Sequence, residues 1–171
     1  MKKNSVTKIL SLLLMSTTFF AFTHPANKQA NFSGSWVLNE SKSELGQFGA
    51  RGASSKIEVD QKSESVTINR TGVSFSTGET IVSGVTLPND GKEVESMFLG
   101  SSKMKSSLKW AADGNSFAIS YSIAFEMNGQ TFDITGNEKW SLGADGKSIV
   151  LLTTLSTPQG EIETKALYDK Q

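Results

Sequence analysis

The chain has 171 residues, 37% of them hydrophobic and 20% charged, values ordinary for one globular domain that set aside collagen, coiled coil and wholesale disorder. Lys plus Arg and Asp plus Glu both number 17, so no positive excess argues for a nucleic-acid partner. Cysteine is absent and His24 is the single histidine, which excludes disulfides, thiolate metal sites and a Cys nucleophile, and leaves no material for a His-rich metal site or a Ser-His-Asp triad beyond the N-terminal segment.

Taken in chain order, Met1-Lys2-Lys3 and Lys8 lead into a run over residues 9–22 that is almost uncharged. This is the layout of a secretory signal peptide. At about 14 residues the run is shorter than the roughly 18 to 20 that cross a bilayer as a helix. Cleavage is expected between Ala21 and Ala30, so residues 1–26 are read as the signal and 27–171 as a single domain. Removing Lys2, Lys3 and Lys8 leaves three more acidic than basic residues. A lipid anchor would need a cysteine after the run. A soluble periplasmic or secreted product is therefore expected.

From Asn31 onward the apolar residues recur with period two, punctuated by Gly, Asp and Asn, the pattern of half-buried strands. Strands are expected near 32–38, 55–60, 65–70, 73–82, 93–99, 103–110, 116–126, 131–142, 148–155 and 161–168. Turns are expected at Asp90-Gly91, Asp113-Gly114, Asn128-Gly129, Asp145-Gly146 and Pro158-Gln159-Gly160. Asn-Gly between alternating segments is the strongest of these signals, because a type I′ turn needs φ > 0 at both central residues. The fold class that follows is all-β, an antiparallel up-and-down barrel of about 8–10 strands, closed by pairing first and last strands so that no edge is left exposed. Residues 39–54 form the one long irregular segment, read as a lid over the barrel mouth or as a disordered surface loop. Ser41-Lys42-Ser43-Glu44 within it has capping-box spacing.

Asn31-Phe32-Ser33-Gly34-Ser35-Trp36-Val37-Leu38-Asn39, and above all Gly34-Ser35-Trp36, resembles the first-strand signature of lipocalins and the wider calycin group. With Lys42-Ser43, Trp140, Asp145-Gly146-Lys147 and Pro158-Gln159-Gly160, it is similar to small exported bacterial proteins described as lipocalin-like. The resemblance implies a barrel and an apolar-ligand class, with Gly34 and Trp36 as its structural motif. It also implies that Trp36 plugs the closed end beneath a basic side chain from near the last strand. Within 161–168 the basic residue is Lys165.

Two apolar rows are expected to face each other in the barrel, Phe117, Ile119, Tyr121, Ile123 and Phe125 against Phe132, Ile134 and Trp140. Trp110 shares a phase with Met104 and Leu108 and is added to the lining, although tryptophans beside turns are more often core. Strict alternation points Glu138 inward, where a carboxylate needs a partner or a raised pKa and could orient a ligand. A bulge at Gly136 would instead flip the phase and leave Glu138 in water, and the glycine tips the reading towards the bulge. Asn31-Phe32-Ser33, Asn39-Glu40-Ser41 and Asn69-Arg70-Thr71 fit the glycosylation sequon and are read as coincidences in a chain of bacterial look.

The candidate ligand-binding residues are thus Tyr121, Ile123, Phe125, Phe132, Ile134, Glu138, Trp110 and Trp140, with no catalytic residue, metal or cofactor. The expected function is binding of a small apolar or amphipathic molecule, such as a fatty acid, without chemistry. The alternative is a solid-cored structural or protein-binding barrel of the cell envelope.

Overall fold

The computed structural model describes residues 29–74, 77–98, 102–127 and 130–171, leaving aside the side chains at 98, 125–127, 130 and 131. The expected signal segment and the Asn128-Gly129 turn lie outside the described residues, as does the side chain of Phe125. The strands are β1 Gly34–Leu38, β2 Lys56–Gln61, β3 Ser65–Val73, β4 Thr80–Pro88, β5 Val94–Phe98, β6 Ser102–Trp110, β7 Ser116–Met127, β8 Gln130–Leu142, β9 Ser148–Thr157 and β10 Gly160–Lys170. All neighbours are antiparallel, in the order β4-β3-β2-β1-β10-β9-β8-β7-β6-β5. The meander closes through β1 and β10, with Trp36 opposite Lys170 and Leu38 opposite Tyr168. The result is a nearly closed up-and-down barrel.

Two expectations about the meander are corrected. The fourth strand does not run over 73–82. The chain turns at Ser74, where Glu79 O accepts from Ser74 N and Ser74 O accepts from Gly78 N. Gly78 takes φ of 74° there, a backbone region that glycine enters without steric cost, so β4 begins only at Thr80. Nor does closure remove every edge, since β4 and β5 are the two ends of the sheet order. Asn89 lies just past the end of β4. Its side-chain amide donates to Lys62 O and Ser63 O, and its Oδ1 accepts from Trp110 Nε1, which ties the end of β4 to the β2–β3 turn and to β6.

The end of the barrel holding Trp36 is filled. Residues leading into β1 cross it, held by Gln61, which donates to Ala30 O and accepts from Phe32 N. Phe32, Trp36, Phe117 and Trp140 are fully or almost fully buried there, and the Trp36 indole N–H donates to Phe32 O at 3.0 Å. Phe32 meets Phe117 edge-on at 4.7 Å between centroids, and Phe117 stacks on Trp140 at 5.3 Å. Aromatic side chains bury roughly 150–250 Å² each, so this cluster supplies much of the hydrophobic stabilisation.

The basic group over Trp36 is Lys170, whose Nζ lies 5.1 Å from the ring centroid. Lys165 instead pairs with Glu44 at 2.9 Å. The last strand continues past its expected end at 168 as far as Lys170, and that extension supplies the cation. Gly34 serves the same contact, since a Cβ at its φ of 146° would come within 2.9 Å of Lys170 Cε.

Residues 39–54 are ordered against the opposite end. Asn39 N donates to Leu167 O, and Glu44 exchanges backbone hydrogen bonds with Lys165, so the segment continues along the β10 edge beyond β1. It holds two 3-10 segments, Glu40–Lys42 and Gly46–Gly52. The expected capping box is not formed: the N-cap is Asn39, whose side chain accepts from Lys42 N, because the helical turn starts two residues earlier than the Ser41 spacing requires.

Candidate functional site

Above the aromatic floor, β3 and β8 send two opposite charges into the barrel. Arg70 follows Val66 and Ile68 on the inner face of β3, and Glu138 precedes Trp140 on that of β8. These strands are not neighbours in the sheet, so the contact spans the interior. Arg70 Nη2 donates to Glu138 Oε2 at 2.6 Å, and Trp140 Nε1 donates to the same oxygen at 3.0 Å. The guanidinium lies 5.2 Å from the Trp140 ring centroid. Hydrogen bond, ion pair and cation–π contact thus meet in one cluster, buried at Glu138 and Trp140 and partly buried at Arg70, the arrangement in which a charge is tolerated out of water.

The expected bulge at Gly136 is absent. The β7–β8 register is unbroken from Ser116↔Ser141 to Met127↔Gln130, so alternation holds and Glu138 is buried. Gly136 has another role. A Cβ there would collide with the ring of Tyr121, its cross-strand partner, so glycine makes room for the tyrosine to lie flat across the sheet.

Over this level lies a cavity of about 180 Å³. Its polar lining comes from Arg70, Glu138, Tyr121, Tyr168, Thr153 and Thr164, and its apolar lining from Leu151, Leu155, Ile162 and Ala166 on β9 and β10. Phe48, Gly52, Ala53 and Ser54 of the irregular segment cover it. That segment is therefore a cover on the barrel mouth, and the loop alternative is set aside. Phe48 is 42% exposed while lining the cavity, so it stands at the rim.

Electrostatics follow from burial and from the pair. Burial pushes the Arg70 guanidinium down, but the charge and hydrogen bond of Glu138 outweigh it and hold the group above its ordinary value. Burial pushes Tyr121 up to about 12, helped by the Glu138 charge and opposed by Arg70. Burial likewise pushes Tyr168 up to about 12, with Arg70 opposing. Both phenols are neutral at any physiological pH and act as hydrogen-bonding groups.

Of the residues singled out from sequence, Tyr121 and Glu138 line the cavity. Trp140 is fully buried and reaches it only through Glu138 and Arg70. Trp110 is placed elsewhere: it packs edge-on against Phe32 and Phe117 at the filled end and donates to Asn89. Ile123 is buried, and Phe132 and Ile134 are partly buried on the β7–β8 face, but none of the three is among the cavity's lining residues. Two rows facing each other in one sheet are neighbours, and the rest of the cavity wall belongs to β3, β9, β10 and the cover. Sequence reasoning missed Arg70 and the whole β9–β10 side. The signal for Arg70 was available in the phase it shares with Val66 and Ile68.

No protein-family model matches the chain, and no curated protein matches it in sequence. Among solved structures, zebrafish ileal bile acid-binding protein, determined in complex with cholic acid, is similar with a TM-score of 0.49 and 17% sequence identity, covering 82% of this chain and 98% of that one.

Proposed function

We propose that this protein is an exported binding barrel that holds a small amphipathic molecule in the covered cavity and does not transform it. The observation that carries the reading is the cavity's mixed lining, in which Arg70, Glu138, Tyr121 and Tyr168 supply polar groups among the apolar side chains of Leu151, Leu155 and Ile162. Small-molecule sites have this form, an apolar enclosure with a few polar groups to fix orientation. Against catalysis stands the state of the one carboxylate among the lining residues. Glu138 is committed to Arg70 and Trp140, and carboxylate chemistry of the glycosidase kind needs a second acid. Export is inferred from the lysines and apolar run of residues 1–22, and intact mass of the exported product tests it, retention of that run being the adverse result.

The volume limits the guest. About 180 Å³ is the space of roughly six waters and lies below the roughly 300–1,000 Å³ of sites for drug-sized ligands. A short amphiphile fits as the cavity stands, and a longer chain, such as a common fatty acid, requires the cover to lift at Phe48. The same small volume favours a second reading, a structural barrel with a residual void. Titration with the uncharged fluorophore N-phenyl-1-naphthylamine separates the two. Saturable binding at tens of micromolar, lost in Thr153→Phe while the far-ultraviolet circular dichroism is retained, supports the binding barrel. No binding by the wild-type protein leaves the structural barrel.

A further inference from the structure

We propose that the Arg70–Glu138 pair acts as a charge filter, making the cavity selective for amphiphiles with an uncharged, hydrogen-bonding head group such as an alcohol, ester or amide. The inference rests on the binding reading above and specifies the ligand class. Both members of the pair line the cavity, so a guest's head group meets a cation and an anion together, joined at 2.6 Å. A carboxylate placed against Arg70 is also placed against Glu138, and an ammonium placed against Glu138 is also placed against Arg70. Either ion would give up its hydration on entering the barrel and gain no net countercharge in return, which makes its burial unfavourable.

An uncharged head group avoids that conflict and matches what the site offers. An arginine carries five N–H donors, and the described residues accept from Arg70 through Glu138. Tyr121 and Tyr168 add phenol groups that donate and accept in their neutral state. A hydroxyl, itself donor and acceptor, can take a bond from the guanidinium and return one to the Glu138 carboxylate or to a phenol. The tail then runs towards Leu155 and Ile162 under Phe48. The pair is well placed to stay intact during binding, because Trp140 holds Glu138 from below through the indole N–H and lies against the guanidinium with its ring.

The test is displacement of N-phenyl-1-naphthylamine at neutral pH by three ten-carbon chains that differ only at the head: decanol, decanoate and decylamine. The expected result is decanol acting at a concentration at least tenfold below either ion. Glu138→Gln should bring decanoate level with or ahead of decanol by freeing Arg70, and Arg70→Gln should do the same for decylamine. Because each single change leaves one buried charge alone and could unfold the chain, the doubly neutral Arg70→Gln/Glu138→Gln variant provides a second route, and there the preference among the three heads should fall below threefold. Decanoate or decylamine equalling decanol on the wild-type protein overturns the filter while leaving the binding reading intact. A preference unchanged in the doubly neutral variant also overturns it. Failure of the fluorophore and all three chains to bind removes both.

Discussion

Tyr121 lies flat across Gly136, its cross-strand partner between β7 and β8, and fills the space that any side chain at that position would take. The glycine thus leaves the ladder intact and sets the orientation of an aromatic ring beside the Arg70–Glu138 pair. Adding a methyl group at Gly136 drives the tyrosine out of this position, and overpacking of this kind costs about 1–3 kcal/mol. Gly136→Ala should lower the urea midpoint accordingly. The cost should be smaller in a Tyr121→Ala background, since there the methyl group meets open space. Strictly additive costs in that double-mutant cycle would show that the two residues do not share the space.

The filled end predicts a ranking. Trp36 is fully buried and bonded to Phe32 O, so Trp36→Ala removes a large aromatic and orphans a buried carbonyl, a loss of about 3–5 kcal/mol. Lys170→Met keeps the aliphatic cover and removes only the cation over the ring, worth about 1 kcal/mol. Denaturant midpoints should fall far more for Trp36→Ala than for Lys170→Met. An inverted order would mean that strand pairing with β10, and not the indole, holds the barrel shut.

The period-two pattern made the strands legible because half-buried strands differ from one another mainly in where their turns fall, and tight turns carry Gly, Asp or Asn for steric reasons. The fourth strand is misread from sequence because Val73 and Ser74 continue an apolar–polar alternation that hydrogen bonds at Ser74 interrupt. Glu138 shows the corresponding limit at the site. From its own strand the residue is ambiguous, since a glycine two positions earlier permits a phase change. The ambiguity disappears once Arg70 is placed opposite, but no local pattern says that β3 and β8 face each other across the barrel. Phase can be read within a strand, whereas pairing across a cavity depends on closure. The cover was harder still, because 3-10 segments of Ser, Gly and Ala carry no apolar period, and their position is set by the free edge of β10 that Asn39 and Glu44 occupy.

The two tyrosines provide a measure of how dry the cavity is. Tyr121 and Tyr168 are the chain's only tyrosines, and burial pushes each up to about 12, against about 10 in an unfolded chain. A phenol whose pKa is raised on folding stabilises the fold fully below the unfolded value and loses that contribution as pH climbs through the folded one. The window is therefore pH 10 to 12, and the contribution at stake is on the order of 2 kcal/mol for each residue. In a near-ultraviolet titration the native protein should form almost no tyrosinate until pH approaches 11, whereas protein in concentrated urea should titrate near 10. Above that point tyrosinate formation and loss of structure should rise together, since ionising either phenol removes part of what holds the native state. Replacing Tyr121 with Phe should leave one late-titrating phenol, Tyr168, and should flatten the alkaline fall in stability. Native tyrosinate appearing at pH 10 with the fold intact would mean that water reaches both phenols freely, and the cavity would then be an open, hydrated mouth in which the Arg70–Glu138 pair is screened.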